Sequence, residues 1–295
     1  MPLQHLVEYF NDRLGREHRS SFRPFVLDEG KVSGLFGPIQ IGSHLKPLRQ
    51  ALQPDLIVGH LAQIAVAPNT TQYLYSNEIE SLLENNTLPS ADFDSIINFD
   101  RLSRTVHMLN YLSFIHLDGT LFLEVDPRHI LGVKQDHGAY FQEVITQCGL
   151  ETNNVAIVLS VNSQYANYYQ DLIKGLDNYR HRGYKIALKF DYLIHDSEAF
   201  NLIEKITPHY VSLSARNMGK NVHDEALLTK LIQLNAKIAS LDSISIMQQV
   251  NEKGLDLLAL NSGFNFVEGD YYTETALDYS NNTGASAVEF SSAFW

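Results

Sequence analysis

Cysteine is almost absent from this sequence, because its 295 residues include only Cys148. One cysteine cannot form an intramolecular disulfide, so a reducing compartment, the cytoplasm, is the predicted location. The first twenty residues carry charges throughout and contain no apolar segment of the kind that signal peptides have. No apolar run approaches the roughly 20 residues that a membrane-spanning helix needs, so no membrane association is expected.

Positive charge is also scarce. The chain has 22 Lys and Arg residues against 34 Asp and Glu residues, and its formal net charge is −12. Proteins that bind nucleic acids contact phosphates through clustered Lys and Arg, so nucleic acid is not an expected partner. No G-x-G-x-x-G motif follows a strand-like run, which weakens the case for a dinucleotide-binding sheet.

Short apolar runs alternate with amphipathic helical segments along most of the chain. Such alternation is typical of a mainly parallel sheet that helices cover, and eight strands indicate a closed (β/α)8 barrel. The first two runs flank the turn LDEG and predict an irregular opening hairpin, while an open doubly wound sheet is the alternative fold. The predicted strands are 21–26, 31–36, 121–125, 155–161, 184–190, 209–214, 237–241 and 264–269.

Reactive side chains of such barrels lie at the C-terminal ends of the strands. Polar residues follow the predicted strands, but carboxylates, which hard cations require, are few among them. A metal site is therefore not expected, and neither is any other cofactor. The strand-end residues include Glu124, Ser160, Lys189, Asp191, Ser212, Ser243 and Glu268.

Several of these strand sequences resemble one known family. GFNFVEGDYY (263–272) is similar to the closing strand of EAL domains, the bacterial barrels that hydrolyse cyclic di-GMP. PHYVSLS, RGYKIALKFDY and LFLEVDPRHI resemble earlier strands of that family, in the same order along the chain. The resemblance extends from about residue 20 to residue 272, and it implies a single EAL-like TIM-type barrel.

The same resemblance implies that the reacting groups of the family have been replaced. The glutamate that names the family would correspond to Phe36, and the arginine of the same stretch to Gln40. Metal-binding positions on later strands would hold Glu124, Ser160 and Lys189. The remaining family positions would hold Phe190, Ser212, Ser214, Ser243 and Glu268. We therefore expect a degenerate phosphodiesterase that has lost its metal ligands and is not an enzyme.

Residues 1–272 are predicted to form the barrel domain, and residues 273–295 a mobile C-terminal tail. The segment 43–98 is longer than expected between the second strand and the helix at 99–115. Because it mixes turn formers with helical patterns, we interpret it as an extended insertion. It is either a connection typical of the family or an added interaction surface.

Two functions remain open. The leading hypothesis is a regulatory binding module that contacts another protein of a bacterial signalling or transcription-control pathway. The alternative is a cyclic di-GMP receptor, or a weak phosphodiesterase that holds one metal through Glu124, Asp191 and Glu268. Asp191 shares an extended face with Lys189, so an ion pair between the two is predicted. The vestigial pocket is predicted to contain Phe36, Gln40, Glu124, Ser160, Lys189, Asp191, Ser212, Ser243 and Glu268.

Overall fold

The computed structural model describes residues 2–18, 23–36, 39–66, 73–74, 93–114, 119–133, 137–161, 163–191 and 197–272. Its strands are β1 (Phe25–Asp28), β2 (Lys31–Phe36), β3 (Ile39–Gln50), β4 (Gln53–Val66), β5 (Tyr73–Leu74), β6 (Thr120–Val125), β7 (Val155–Ser160), β8 (Lys185–Phe190), β9 (Tyr210–Ser214), β10 (Ile244–Gln248) and β11 (Phe266–Val267). Its helices are α1 (Leu3–His18), α2 (Phe93–Tyr111), α3 (Pro127–Gly132), α4 (Ala139–Gln147), α5 (Tyr169–His181), α6 (Ser197–Ile206), α7 (Glu225–Ala239) and α8 (Lys253–Ser262). The predicted tail, 273–295, lies outside the described residues.

Eight of the strands close into a barrel, which confirms the predicted α/β fold. Around the ring they follow the order β3, β11, β10, β9, β8, β7, β6 and β4, and pairing of β3 with β4 completes the circle. The strands from β4 to β11 in this ring run parallel to their neighbours, whereas β3 is antiparallel to both β4 and β11. Helices cover the barrel from outside, as expected for alternating strands and helices.

The predicted opening hairpin is present, but it lies outside the ring. β1 and β2 pair antiparallel through a tight turn in which Glu29 and Gly30 both have positive φ. β2 then pairs with the first residues of β3, so the hairpin extends the sheet beside the barrel. Phe36, at the end of β2, is consequently not on a barrel strand.

The interpretation of segment 43–98 as an insertion is wrong for its first part. β3 and β4 form a long antiparallel hairpin, with Lys46 opposite Leu61, and both strands belong to the barrel. The sequences of β3 and β4 did not indicate strands, because Pro47 and many polar residues interrupt the apolar pattern. The segments 67–72 and 75–92 lie outside the described residues.

The predicted strand 237–241 is also wrong. α7 continues to Ala239, and the strand of this region is β10, Ile244–Gln248. Leu231, Leu234 and Ile238 are buried at helical spacing, so the apolar residues of the KIASL run extend the helix face. Ser243 therefore precedes β10 instead of ending a strand.

The side chains of the barrel strands alternate between two packed layers. Inside the ring, one cluster consists of Leu48, Leu61, Phe122, Ala156, Val158, Ala187, Tyr210 and Ile246. Outside it, a larger cluster that includes Leu121, Ile157, Leu188 and Val211 packs beneath the helices. Because side chains two positions apart share a face of a strand, residues two positions from the inner cluster also point inward. Within the described part of the chain, no helix has the length and apolar character needed to cross a membrane.

Candidate functional site at the mouth of the barrel

The mouth is formed by the C-terminal ends of the parallel strands. The antiparallel strand β3 contributes the part that contains Lys46. A polar layer lies there, directly above the apolar cluster inside the ring. Each member is two positions from a residue of the inner cluster or, for Glu268, from Phe266, which packs against it. The layer contains Lys46, Glu124, Ser160, Lys189, Ser212 and Glu268.

Lys189, Glu124 and Ser160 are in contact across three neighbouring strands. The ammonium of Lys189 lies 3.4 Å from Glu124 Oε2, and the Ser160 hydroxyl donates a hydrogen bond to Glu124 Oε1. Burial alone would lower the pKa of Lys189, but Glu124, Asp191 and Glu268 outweigh burial and raise that pKa. These carboxylates therefore favour the protonated form of Lys189 within the mouth.

Lys46 and Glu268 form a second ion pair, which the sequence reading missed. Lys46 Nζ lies 3.1 Å from Glu268 Oε1, and only 2% of the Glu268 side chain is exposed. The other carboxylate oxygen of Glu268 accepts a hydrogen bond of 3.2 Å from the backbone N–H of Gln249. Lys46 also lies 3.7 Å from the exposed Asp270. Strand alternation in SHLKPLRQ could have indicated Lys46, but the sequence predicted an insertion at 43–98 and no strand there.

Ser212 and Asp191 complete the group around Lys189. Ser212 is the register partner of Lys189 on β9, and it is 2% exposed. Among the described residues, Ser212 Oγ has no hydrogen-bond partner. Asp191 follows β8, is exposed, and acts on Lys189 electrostatically. The predicted Lys189–Asp191 ion pair is wrong, because the carboxylate within ion-pair distance of Lys189 in the described chain is that of Glu124.

Three residues of the predicted pocket lie elsewhere. Phe36 packs edge-on against Phe99 of α2, with ring centroids 5.1 Å apart, because β2 lies outside the ring. Gln40 belongs to the part of β3 beyond the barrel and donates a hydrogen bond of 2.9 Å to Ser33 Oγ. Ser243 lies before β10, at the opposite end of the barrel, and its hydroxyl donates to Pro208 O at 2.6 Å.

The described side chains of the mouth are not arranged to hold a divalent metal ion. In the described ranges, no three His, Cys, Asp or Glu side chains converge in a way that could hold one. Glu124 and Glu268 already face the ammonium groups of Lys189 and Lys46. A metal ion would have to displace these ammonium groups to reach the carboxylates.

A buried polar cluster supports the mouth strand β6 from outside the barrel. Asp100 on α2 pairs with Arg104 and lies 2.9 Å from His129 Nδ1, and its carboxylate accepts a 3.1 Å hydrogen bond from Asp126 N–H. Burial alone would raise the pKa of Asp100, but Arg104 and His129 lower it to about 2. The cluster fixes the backbone directly after β6, the strand that carries Glu124.

Comparison with solved structures identifies the fold. The EAL domain of Xanthomonas citri FimX, solved with c-diGMP, has a TM-score of 0.63 at 12% identity and covers 91% of this chain and 92% of that one. The Bacillus subtilis YkuI protein, with an EAL domain and solved with c-di-GMP and calcium, has a TM-score of 0.60 at 13% identity over 82% of this chain and 62% of that one. PaMucR phosphodiesterase, in a c-di-GMP complex, has a TM-score of 0.59 at 11% identity over 79% of this chain and 95% of that one. No protein-family model and no curated protein sequence matches the chain.

The chain therefore has the EAL-domain fold. The prediction that it is not an enzyme is corrected by the same comparison. One structure with this fold is described as a phosphodiesterase and another as an EAL enzyme. A resemblance of short motifs does not establish a loss of activity, and Phe36, which the resemblance placed at the position of the family's glutamate, lies outside the ring.

Proposed function

We propose that this chain is a regulatory binding module of bacterial cyclic di-GMP signalling, which acts in the cytoplasm by contacting another protein. The observation that carries the proposal is the internal pairing of charges in the mouth. Lys189 faces Glu124 of β6 and Lys46 faces Glu268 of β11, so each ammonium has a carboxylate of another strand as its partner. Such a network forms a rigid surface, because each charged side chain is held in position by its oppositely charged neighbour.

One exposed tyrosine and two exposed aspartates lie on segments that follow barrel strands at the mouth. Tyr168, in the turn after β7, is 51% exposed, and Tyr is enriched among the residues that dominate protein binding. Asp191 and Asp270 are exposed after the ends of β8 and β11. The net charge of −12 favours a partner with a basic surface.

Purification of the full chain from its host, followed by mass spectrometry, tests the proposal first. A stoichiometric partner should then bind the purified chain in calorimetry. Tyr168→Ala should weaken that binding about tenfold, since a truncated aromatic anchor loses more than 1 kcal/mol. Leu257→Ala, which alters an exposed apolar residue on α8, is the matched control and should bind as wild type. A chain that stays alone in every extract contradicts the proposal.

Binding of cyclic di-GMP is the second candidate. Structures with this fold have been solved in complex with c-di-GMP, and two lysine ammonium groups face into the mouth here. Phosphate groups are recognised by such cations. If cyclic di-GMP entered the mouth, its phosphates would compete with Glu124 and Glu268 for the lysines.

Calorimetry with cyclic di-GMP, with and without Mn²⁺, separates the two candidates. Submicromolar binding that is lost in Lys189→Met would favour the nucleotide. Formation of the linear product with Mn²⁺ would identify phosphodiesterase activity. Absence of both binding and product, together with a stoichiometric protein partner, would favour the protein-binding role.

A further inference from the structure

Two buried histidines lie between helix α2 and the hairpin formed by β3 and β4. Nδ1 of His107, on α2, is 2.7 Å from Ser43 Oγ on β3. His60, on β4, packs its ring against Tyr111 at the end of α2 and against Phe114 just after it, with ring centroids 5.7 and 4.7 Å away. Each side of this interface therefore contributes one histidine.

His107 has no free acidic group to balance a positive charge on its ring. Burial lowers the pKa of His107 to about 4, and the charges of Asp100 and Arg104 act on it in opposite directions. Asp100 is already paired with Arg104 and with His129. From β3, the neutral hydroxyl of Ser43 faces the ring. A proton on His107 would therefore place an uncompensated cation inside this interface.

His60 lacks an acidic neighbour as well. In the described chain, no Asp or Glu lies at ion-pair distance from His60, and its Nδ1 is buried without a hydrogen-bond partner. Burial lowers the pKa of His60, and the positive charge of Arg49 on β3 lowers it further. Both histidines are therefore neutral at neutral pH, and the packing of α2 on the hairpin requires that they stay neutral.

Short ladders join the hairpin to the rest of the barrel. β3 and β4 pair with each other over ten residue pairs, whereas β3 pairs with β11 over two and β4 with β6 over three. The ladders that connect β6 through β10 have four or five pairs each. The hairpin is thus a unit whose attachment depends largely on side-chain packing. Its release would expose Leu48 and Leu61 of the inner cluster, so the released state is a minor population.

We propose that the interface between α2 and the β3–β4 hairpin is an acid-sensitive joint, at which protonation of His60 and His107 releases the hairpin while β6 to β10 stay folded. Release would move Lys46 away from Glu268 and so open the mouth at its seam. This device lies outside the mouth, and it does not depend on the function proposed there.

Native-state hydrogen exchange of the full chain, followed by mass spectrometry at pH 7 and pH 5, measures the opening of each strand. After correction for intrinsic exchange rates, the protection of the β3 and β4 amides should fall roughly twentyfold at pH 5 through His107 alone, because the released ring, with a pKa near 6.5, binds a proton that the packed ring excludes. Low concentrations of urea should hardly change this exchange, since a local opening exposes little surface. Amides of β7 and β8 should be better protected, and their exchange should respond to urea.

Variants of the two histidines test whether they cause the release. His107→Gln and His60→Phe should each reduce the fall in protection, and the double variant should remove most of it. His223→Gln, at an exposed histidine, is the matched control and should keep the full fall. If His107→Gln does not fold, His60→Phe alone should still reduce the fall. Protection and urea dependence of β3 and β4 equal to those of β7 and β8, or a fall that persists in the double variant, overturn the proposal.

Discussion

The ammonium of Lys46 lies 3.1 Å from the carboxylate of Glu268, at the seam where the first and last strands of the barrel meet. β3 and β11 are antiparallel neighbours joined by a short ladder, with Val267 opposite Arg49. The ladder includes only two residue pairs, and the ion pair adds a side-chain contact between the two strands. Its two members come from opposite ends of the sequence.

Lys46→Met should destabilise the fold by about 3 kcal/mol, because it leaves the buried Glu268 carboxylate without its cation. Urea denaturation at neutral pH measures the loss. The double variant Lys46→Met/Glu268→Gln should recover much of it, since no uncompensated charge remains. Lys174→Met, which breaks an exposed pair with Asp171, is the control and should cost less than about 1 kcal/mol. Equal losses of stability in Lys46→Met and Lys174→Met would contradict a stabilising role of the Lys46–Glu268 ion pair.

Asp100→Asn should destabilise by about 3 to 5 kcal/mol, because Arg104 is 1% exposed and would remain as a buried, unpaired guanidinium. Thermal and urea melts measure the effect. Asp171→Asn, at an exposed pair, should change stability by less than about 1 kcal/mol. A small effect of Asp100→Asn would mean that His129 and Tyr179 hold Arg104 without the carboxylate.

Gly59→Ala should destabilise by about 2 to 3 kcal/mol through overpacking. A Cβ at Gly59 would lie 2.3 Å from the backbone oxygen of Thr120, where β4 pairs with β6. The paired control is Gly42→Ala on β3, whose Cβ would lie 3.8 Å from its nearest neighbours. Chemical denaturation of both variants checks the prediction. Similar losses of stability in the two variants would show that β4 and β6 move apart to accommodate the added Cβ.

Stability should fall as the pH drops from about 6.5 to about 4, because burial lowers the pKa of His107 to about 4. Between those values the unfolded chain binds a proton that the folded chain excludes, so unfolding becomes more favourable as the pH falls. The contribution of His107 is up to about 3 kcal/mol. His107 lies 2.7 Å from Ser43 Oγ through Nδ1, which holds the neutral ring.

Urea melts at neutral pH and near pH 4 measure this dependence. His107→Gln should show a smaller fall in stability than wild type, since other acidic and histidine groups still titrate. His223→Gln, at an exposed histidine, should follow the wild-type profile. A His107→Gln profile identical to wild type would assign the acid sensitivity to other residues, such as His129, whose pKa burial also lowers.

Part of the mouth was predictable because parallel strands buried on both faces read as short apolar runs. In β6, β7 and β8 a polar residue at or near the end of each run is a member of the inward layer, as for Glu124 and Lys189, and in β9 the member is Ser212. Their contact follows from the rule that the ends of parallel strands meet at one edge. The ion-pair partner of Lys189 was not predictable in this way, because the choice between Glu124 and Asp191 depends on the direction of their side chains.

The alternation of strands and helices was predictable from the chain, because burial on both faces of a parallel sheet leaves a local apolar pattern, and that alternation indicated the closed barrel. The positions of β3, β4 and β10, and hence the places of Lys46 and Ser243, depend on tertiary contacts. β3 and β4 gain their stability from pairing with each other and with strands distant in sequence. They therefore tolerate Pro47 and polar residues that interrupt the alternation by which a strand is recognised. In α7, the apolar residues around Ile238 fit a strand equally well until packing against the barrel selects the helix.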